Sequence, residues 1–167
     1  MQTRKSLRLS GYDYSQNGVY FVTVCTTDKA HTLGAVTGDR VVLTKCGKIV
    51  DDCIRQMPAV EKYAIMPDHI HLLVRIAKGG TVRTPSPTES VAPEMERRGG
   101  CPHPPVEKTP GLPMVVRWLK WETTRRCGFP LWQRSYHDHI VRDETDYLTR
   151  WNYIDTNPVR WGEDEYA

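Results

Sequence analysis

Two histidines one residue apart, His69 and His71, lie in an otherwise apolar segment that ends at Ile76. The segment predicts a strand, and residues two apart in a strand point to the same face. Two neutral imidazoles on a rigid strand can hold a divalent metal ion and leave coordination positions open for substrate oxygens. The competing interpretation is a polar pair on the wet face of a half-exposed sheet, and the apolar surroundings favour the metal.

A second pair with the same spacing, His137 and His139, falls in a short alternating segment that ends at Arg142. It predicts a short strand, whose histidines are either wet edge residues or contribute one imidazole to the same face as the first pair. His103 lies in proline-rich sequence without a scaffold, so we do not expect it to join a site.

Tyr153 and Asn157 lie one helical turn apart in a predicted helix from Thr145 to Asn157, which Asp143 caps and Pro158 ends. The helical period places four residues on its core-facing stripe: Tyr147, Leu148, Trp151 and Ile154. Tyr153 is expected roughly opposite that stripe, with its phenol beside the carboxamide of Asn157. A bland alternative is an exposed tyrosine and an asparagine that ends a helix.

A free phenol, with a pKa near 10, is a poor nucleophile at neutral pH and needs a metal-polarised electrophile. Phosphodiesters meet that need, because a divalent ion can draw charge from a non-bridging oxygen. Together with the first histidine pair, the tyrosine and the asparagine therefore form a candidate site.

The chain has 167 residues, 39% of them hydrophobic, and a net charge of +3. That content excludes wholesale disorder, and no run approaches the roughly 18 apolar residues of a membrane helix. The N-terminus lacks the apolar stretch of a secretory signal. Five scattered cysteines without a Cys-x-x-Cys pair indicate reduced thiols, which predicts a cytoplasmic protein.

Residues 78–113 hold eight of the twelve prolines and five of the twelve glycines, and they show no apolar period. Such sequence cannot bury enough surface to offset its ordering entropy. We expect a flexible insertion inside a single domain that spans residues 1–167, because neither flank looks complete alone.

The remaining segments predict an alternating series of elements: a strand at 19–26, a weaker strand at 35–43 with a turn at Gly38-Asp39, a helix from Thr44 to Met57, strands at 63–66 and 69–76, a helix at 114–127 stopped by Gly128, a strand at 137–142, and the tyrosine helix. In the helix at 114–127 the core side is expected to hold four residues: Val115, Trp118, Leu119 and Trp121. The series favours an α+β fold with helices on an antiparallel sheet.

Eight basic side chains are the candidates for binding nucleic-acid phosphates: Arg4, Lys5, Arg8, Arg117, Lys120, Arg125, Arg126 and Arg134. Interleaved rings that could stack on unpaired bases are Trp118, Trp121, Trp132 and Tyr136, of which Trp118 is better assigned to the core. The competing interpretation is a solvated helix face with buried rings.

Three motifs, in order, resemble the REP-associated tyrosine transposases, which belong to the single-tyrosine HUH class and are related to small insertion-sequence transposases. The motifs are Met66-Pro67-Asp68-His69-Ile70-His71-Leu72-Leu73, then Trp132-Gln133-Arg134 with Asp138-His139-Ile140-Val141-Arg142, then Tyr153-Ile154-x-x-Asn157-Pro158-Val159 with Gly162. The similarity runs from about Arg8 to Gly162, apart from the insertion, and the combination of motifs makes it specific.

The resemblance implies a ferredoxin-like antiparallel sheet flanked by helices, with His69 and His71 on a central strand binding Mg²⁺ or Mn²⁺. It implies that Tyr153 cuts single-stranded DNA and becomes linked to the 5′ phosphate, which frees a 3′ hydroxyl, and that Asn157 is a third metal ligand. Family substrates are short imperfect hairpins of repetitive extragenic DNA. Asp68 stands where Asn or Glu often precedes the first histidine.

Three functions follow: a metal-dependent endonuclease and transposase acting on single-stranded or hairpin DNA, a non-catalytic protein that binds DNA hairpins, and a metal-dependent hydrolase that uses water. The complete set of candidate site residues favours the first. Branches of the family differ in oligomeric state, and the motif from Tyr153 to Asn157 favours a monomer over a homodimer.

Overall fold

The computed structural model describes residues 12–14, 16–77 and 111–164. In chain order its strands and helices are β1 (Gly18–Cys25), β2 (Gly34–Thr37), β3 (Arg40–Leu43), α1 (Lys45–Arg55), β4 (Val60–Ile65), β5 (His69–Ile76), α2 (Leu112–Cys127), β6 (His137–Val141) and α3 (Glu144–Asp164). Their sequence agrees with the predicted series of elements. No helix within these ranges is long and apolar enough to cross a membrane.

Four strands form an antiparallel sheet in the order β4-β5-β1-β6. The central pair is β1 and β5, with Gly18 opposite Ile76 and Cys25 opposite His69. Without the separate β2–β3 hairpin, the chain follows a β-α-β-β-α-β path, which gives this sheet the strand order of a ferredoxin-like fold. The predicted fold class is confirmed.

The two faces of the sheet pack against different helices. On one face Ile70, Leu72 and Val74 of β5 are fully buried in the main hydrophobic core, together with residues of α1 and α2. The opposite face carries a smaller buried cluster under α3: Val19, Phe21, Leu73 and Ile154. Because neighbouring side chains in a strand alternate between faces, β5 contributes to both layers, and its two histidines lie on the side of α3.

Backbone hydrogen bonds through Thr44 and Leu33 connect α1 to the turn that leads into β5. Thr44 caps α1, as predicted, by accepting a hydrogen bond from the Gly47 amide at 3.1 Å. The Thr44 amide donates to the Leu33 carbonyl at 2.9 Å, and the Leu33 amide donates to the Pro67 carbonyl at 3.0 Å. The position of α1 is therefore coupled to the residues that immediately precede His69.

We expect Gly47→Ala to lower the free energy of unfolding by about 3 kcal/mol, the upper end of the typical cost of overpacking. A Cβ at this buried position would collide with the backbone carbonyl of Leu33. Movement of Leu33 would disrupt the bond that this carbonyl accepts from the Thr44 amide and the bond that the Leu33 amide donates to Pro67. Urea unfolding measures the effect. Gly18→Ala is the control, since its added carbon would meet the Tyr20 ring at an ordinary 3.7 Å. Equal stability of the two variants would contradict the prediction.

The start of α2 corrects two predicted boundaries. The helix begins at Leu112, not Met114, and Gly111 is its N-cap. Pro113 lies in the first turn, where a missing amide costs nothing, and Leu112 is fully buried. The predicted insertion therefore extends too far at its C-terminal end, and its residues 78–110 lie outside the described part of the chain.

The exposed face of α2 also differs from the prediction. Trp121, expected in the core, has 45% of its surface exposed, because it follows Leu119 by about 200° around the helix. Val115 and Leu119 are buried as predicted. Gly128 ends the helix in the left-handed conformation, with φ 83°.

Candidate metal and tyrosine site

The two imidazoles of the first histidine pair converge through their Nε2 atoms, which lie 2.9 Å apart. Each ring has a hydrogen-bond partner at its Nδ1 atom. Asp68 Oδ1 lies 2.6 Å from Nδ1 of His69, and Thr23 Oγ1 lies 2.8 Å from Nδ1 of His71. Partners at Nδ1 fix the ring orientation and leave the two Nε2 atoms facing one point, which is how metal-binding histidines are commonly supported.

The spacing of the Nε2 atoms fits a shared divalent ion. Adjacent ligands about 2.1 Å from an octahedral ion lie about 3.0 Å apart, close to the observed separation. Among the described residues, no group of three or more His, Cys, Asp or Glu side chains could hold a metal ion. The site thus offers two nitrogens, and any further ligand must be an amide oxygen, water or substrate.

His71 stays neutral in the folded protein. It is 5% exposed, and burial, followed by repulsion from His69, lowers its pKa to about 3. A neutral imidazole keeps the lone pair that a metal ion requires.

Without metal, the low pKa of His71 predicts that the protein loses stability in acid. Between about pH 6.5 and 3 the unfolded chain binds a proton at this residue and the folded chain does not, so stability rises with pH in that window. From pH 6.5 to 5 the free energy of unfolding should fall by about 2 kcal/mol from this group. Urea unfolding in chelator measures it. His71→Gln should flatten the dependence, whereas His137→Gln, at an exposed position, should not; identical slopes in wild type and His71→Gln would contradict the assignment.

Helix α3 packs on the sheet through three of its four predicted core residues, Tyr147, Trp151 and Ile154, but its contact face differs from the prediction at two positions. Leu148 is 51% exposed, whereas Tyr153, expected on the far side, packs against the small cluster. The stripe that meets the sheet is centred near Ile154 and includes Arg150 and Asn157. Because both of these are polar, the apolar period of the sequence did not reveal this face.

Tyr153 lies beside the histidine pair. Its ring centroid is 5.2 Å from that of His71 and 5.8 Å from that of Phe21, in edge contacts. Phe21 stacks on His71, with centroids 5.2 Å apart. The three rings form one contact group, which we call the ring trio.

The end of α3 corrects another prediction, because the helix continues through Pro158 to Asp164. Three turns past Arg150, the Trp161 ring contacts His69 at 5.5 Å and His31 at 5.8 Å, and these contacts favour continuation across the proline. Asn157 falls midway between Tyr153 and Trp161 on the same helix and is 5% exposed. The carboxamide is thus placed between the two turns that touch the histidine pair.

Sequence reasoning assigned no role in the site to several residues that shape it: Phe21, Thr23, Asp68, Arg150 and Trp161. The alternation of side chains along a strand could have identified two of them. Phe21 and Thr23 are two apart in β1, and the register places Thr23 opposite His71. That register depends on long-range pairing, which the sequence alone does not specify.

Of the basic residues proposed for DNA that the structure describes, those on α2 lie away from this face. Arg4, Lys5 and Arg8 are outside the described residues, and Arg117 and Arg134 are exposed. Arg125 bonds Glu122 at 2.7 Å, and Arg126 bonds Cys53 at 3.2 Å and Asp52 at 3.5 Å. The α2 residues among them belong to the helical layer on the other face of the sheet from the histidines.

Lys120 has a structural role. Its ammonium donates to three carbonyls, those of Gln133 at 2.8 Å, Arg134 at 3.4 Å and Ser135 at 2.9 Å. An ammonium has three donors, so a phosphate contact from Lys120 would require it to give up a bond that shapes this loop.

Two aromatic candidates for base stacking are buried. Trp132 is 9% exposed and donates to Thr123 Oγ1 at 2.7 Å, and Tyr136 is 7% exposed. Their faces pack in the main core, so the prediction that they stack on bases is wrong. Trp121 is the exposed ring of α2, with the Arg125 guanidinium 5.7 Å from its centre.

Two proteins of Haemophilus influenzae are similar to this chain in sequence. No family model matches it. An uncharacterized protein of Haemophilus influenzae is 30% identical over 173 residues, covering 97% of this chain and 92% of that protein. A second H. influenzae protein, provisionally named a REP-associated tyrosine transposase, is 24% identical over 152 residues, covering 90% of this chain and 75% of that protein.

A solved structure of the REP-associated tyrosine transposase bound to a REP hairpin shares the fold. Its TM-score is 0.55 at 18% identity, over 97% of this chain and 75% of that chain. These relatives match nearly the whole chain. The chain is therefore similar in sequence to a provisionally named REP-associated tyrosine transposase and shares the fold of a solved one.

Proposed function

We propose that this chain is a metal-dependent endonuclease and strand transferase that cuts and rejoins single-stranded or hairpin DNA through a covalent link to Tyr153. The observation that carries the proposal is the contact between the Tyr153 and His71 rings, 5.2 Å between centroids, beside two converging Nε2 atoms. A phenol beside a pair of imidazoles that are each supported at Nδ1 suits phosphoryl transfer, in which the difficult step is split by a covalent intermediate.

In this proposal His69 and His71 hold Mg²⁺ or Mn²⁺ through Nε2, and Asn157 supplies a carboxamide oxygen as third ligand. The bound ion would supply positive charge to a non-bridging phosphate oxygen. Asp68 and Thr23 keep the two rings oriented. Trp161 shields one side of His69 from solvent.

The chemistry conserves the phosphodiester bond energy. The Tyr153 oxygen loses its proton and forms a bond to phosphorus, while the bond from phosphorus to the 3′ oxygen breaks and that oxygen leaves as a 3′ hydroxyl. Attack of a 3′ hydroxyl on the phosphotyrosine reverses the step and returns the phenol, so no energy cofactor is needed.

The proposed partner is single-stranded or hairpin DNA, supported by the similarity to REP-associated tyrosine transposases and by the hairpin in the solved structure that shares this fold. We propose phosphate contacts from the exposed Arg117 and Arg134, with Arg125, Arg126 and Lys120 as contacts that would require exchange of their present bonds. The N-terminal candidates, a cytoplasmic location and a monomeric state remain predictions.

A labelled hairpin oligonucleotide with a single-stranded flank, incubated with protein and Mn²⁺, tests the proposal. On a denaturing gel we expect a protein–DNA species that survives heating, together with a free 3′ hydroxyl fragment. Cleavage without any covalent species would favour the hydrolase that uses water. Tight hairpin binding without cleavage in either Mn²⁺ or Mg²⁺ would favour the non-catalytic binding protein.

A further inference from the structure

We infer that Arg150 binds the phosphate that Tyr153 attacks, so that the site grips this group from two sides. The inference rests on the proposed function and adds to it a residue that neither the sequence motifs nor the comparisons assign. Two observations support it. The guanidinium lies over the Phe21 ring of the ring trio, and the Asp146 carboxylate anchors the guanidinium.

The guanidinium of Arg150 lies at the edge of the site. Its central carbon is 5.4 Å from the centre of the Phe21 ring, and Phe21 in turn contacts His71 and Tyr153. Among the described arginines and lysines, Arg150 is the one whose charge lies over a member of the ring trio. The N–H groups of a guanidinium point outward in its own plane. A guanidinium that lies over an aromatic ring can therefore still donate them to a ligand.

The Nε atom of Arg150 is hydrogen-bonded within the protein, whereas its terminal nitrogens are available to a ligand. Its Nε donates to Asp146 Oδ1 at 3.2 Å. The other oxygen of Asp146 lies 2.7 Å from Nε2 of His139 and 3.3 Å from the amide of Arg142. This gives one member of the second histidine pair a role, since His139 helps hold the carboxylate that orients Arg150. The terminal nitrogens of Arg150 keep four N–H donors, a fork that matches two phosphate oxygens.

Two other cations that the structure describes on this side of the sheet, Lys62 and Arg75, are engaged elsewhere. Lys62 pairs with Asp155 at 2.6 Å and lies 4.0 Å from the centre of the Trp151 ring. Arg75 is bonded to Glu61. Arg150, which is one turn before Tyr153 and 32% exposed at its side chain, is therefore the cation placed to meet a phosphate at the tyrosine.

The experiment compares two hairpin substrates, one with an ordinary phosphodiester at the cleaved linkage and one with a neutral methylphosphonate there. On the ordinary substrate we expect Arg150→Ala to slow formation of the covalent species about 100-fold, with partial recovery in Arg150→Lys. On the methylphosphonate the wild type and Arg150→Ala should react at the same rate, because the charge that Arg150 neutralises is absent. Arg142→Ala, an exposed neighbour, is the control and should match wild type on both.

Equal losses for Arg150→Ala on the two substrates would overturn the inference and indicate a structural role, which thermal unfolding of the variant would show. A wild-type protein that forms no covalent species would instead contradict the proposed function. In that event binding decides: with Tyr153→Phe protein, methylphosphonate at one linkage should weaken binding only when Arg150 is present. Equal weakening with Arg150→Ala would overturn the phosphate contact.

Discussion

Replacing Tyr153 with phenylalanine is expected to abolish the covalent protein–DNA species and to lower cleavage by a factor on the order of 10⁴ or more, the scale of losing a nucleophile. The substitution removes one oxygen and keeps the ring. The edge contacts with His71 and Phe21, at 5.2 and 5.8 Å, therefore stay available. The loss should thus be chemical, with stability and hairpin affinity unchanged. A denaturing gel with labelled hairpin and Mn²⁺ measures it.

Tyr147→Phe is the matched control on the same helix. Its hydroxyl donates to Glu61 Oε2 at 3.1 Å, away from the histidine pair, so its loss should leave the covalent species intact. The proposal would be wrong if Tyr153→Phe still cleaved at the wild-type rate, since water or another residue would then be the nucleophile.

The double substitution His69→Ala with His71→Ala should also abolish cleavage, while hairpin affinity stays within about threefold of wild type. Loss of an outer partner of a metal ligand typically costs 10–100-fold in affinity, so loss of both ligands should weaken Mn²⁺ binding by more than about 100-fold. Electron paramagnetic resonance of free Mn²⁺ measures the affinity without any need for activity.

His137→Ala controls for removal of a histidine from the same side of the sheet, and it should keep both Mn²⁺ binding and cleavage. Thermal unfolding checks that the double variant is folded, because His71 is buried and fills space beside Phe21. A parallel loss of hairpin affinity would mean that the pair reads DNA or supports the fold, and unchanged Mn²⁺ affinity would remove it from the metal site.

Features that depend on neighbours in the chain were predictable from the sequence. The alternation at His69, Ile70 and His71 correctly predicted a strand with both imidazoles on one face. Thr44 and Gly128 bound their helices as predicted, because caps depend on local backbone geometry. The α+β class followed from the order of these elements.

Features set by distant contacts were not predictable. The orientation of α3 depends on polar residues, among them Arg150 and Asn157, that meet the sheet. Its continuation past Pro158 accompanies the contact of Trp161 with His69, and single-sequence rules end a helix at proline. The supporting partner of His71, Thr23, lies 48 residues away and is brought to it only by the sheet register.

The division of β5 between two faces limits how this family can change in length. Ile70, Leu72 and Val74 fill the main core, while His69 and His71 serve the site. Insertion or deletion of a single residue within the strand would exchange the two sets, burying imidazoles and exposing aliphatic chains in one event. Substitutions in β5 can alter the fold or the chemistry separately, but insertion or deletion of one residue within the strand damages both. Length differences among relatives should therefore collect in the connections between elements and be absent from this strand.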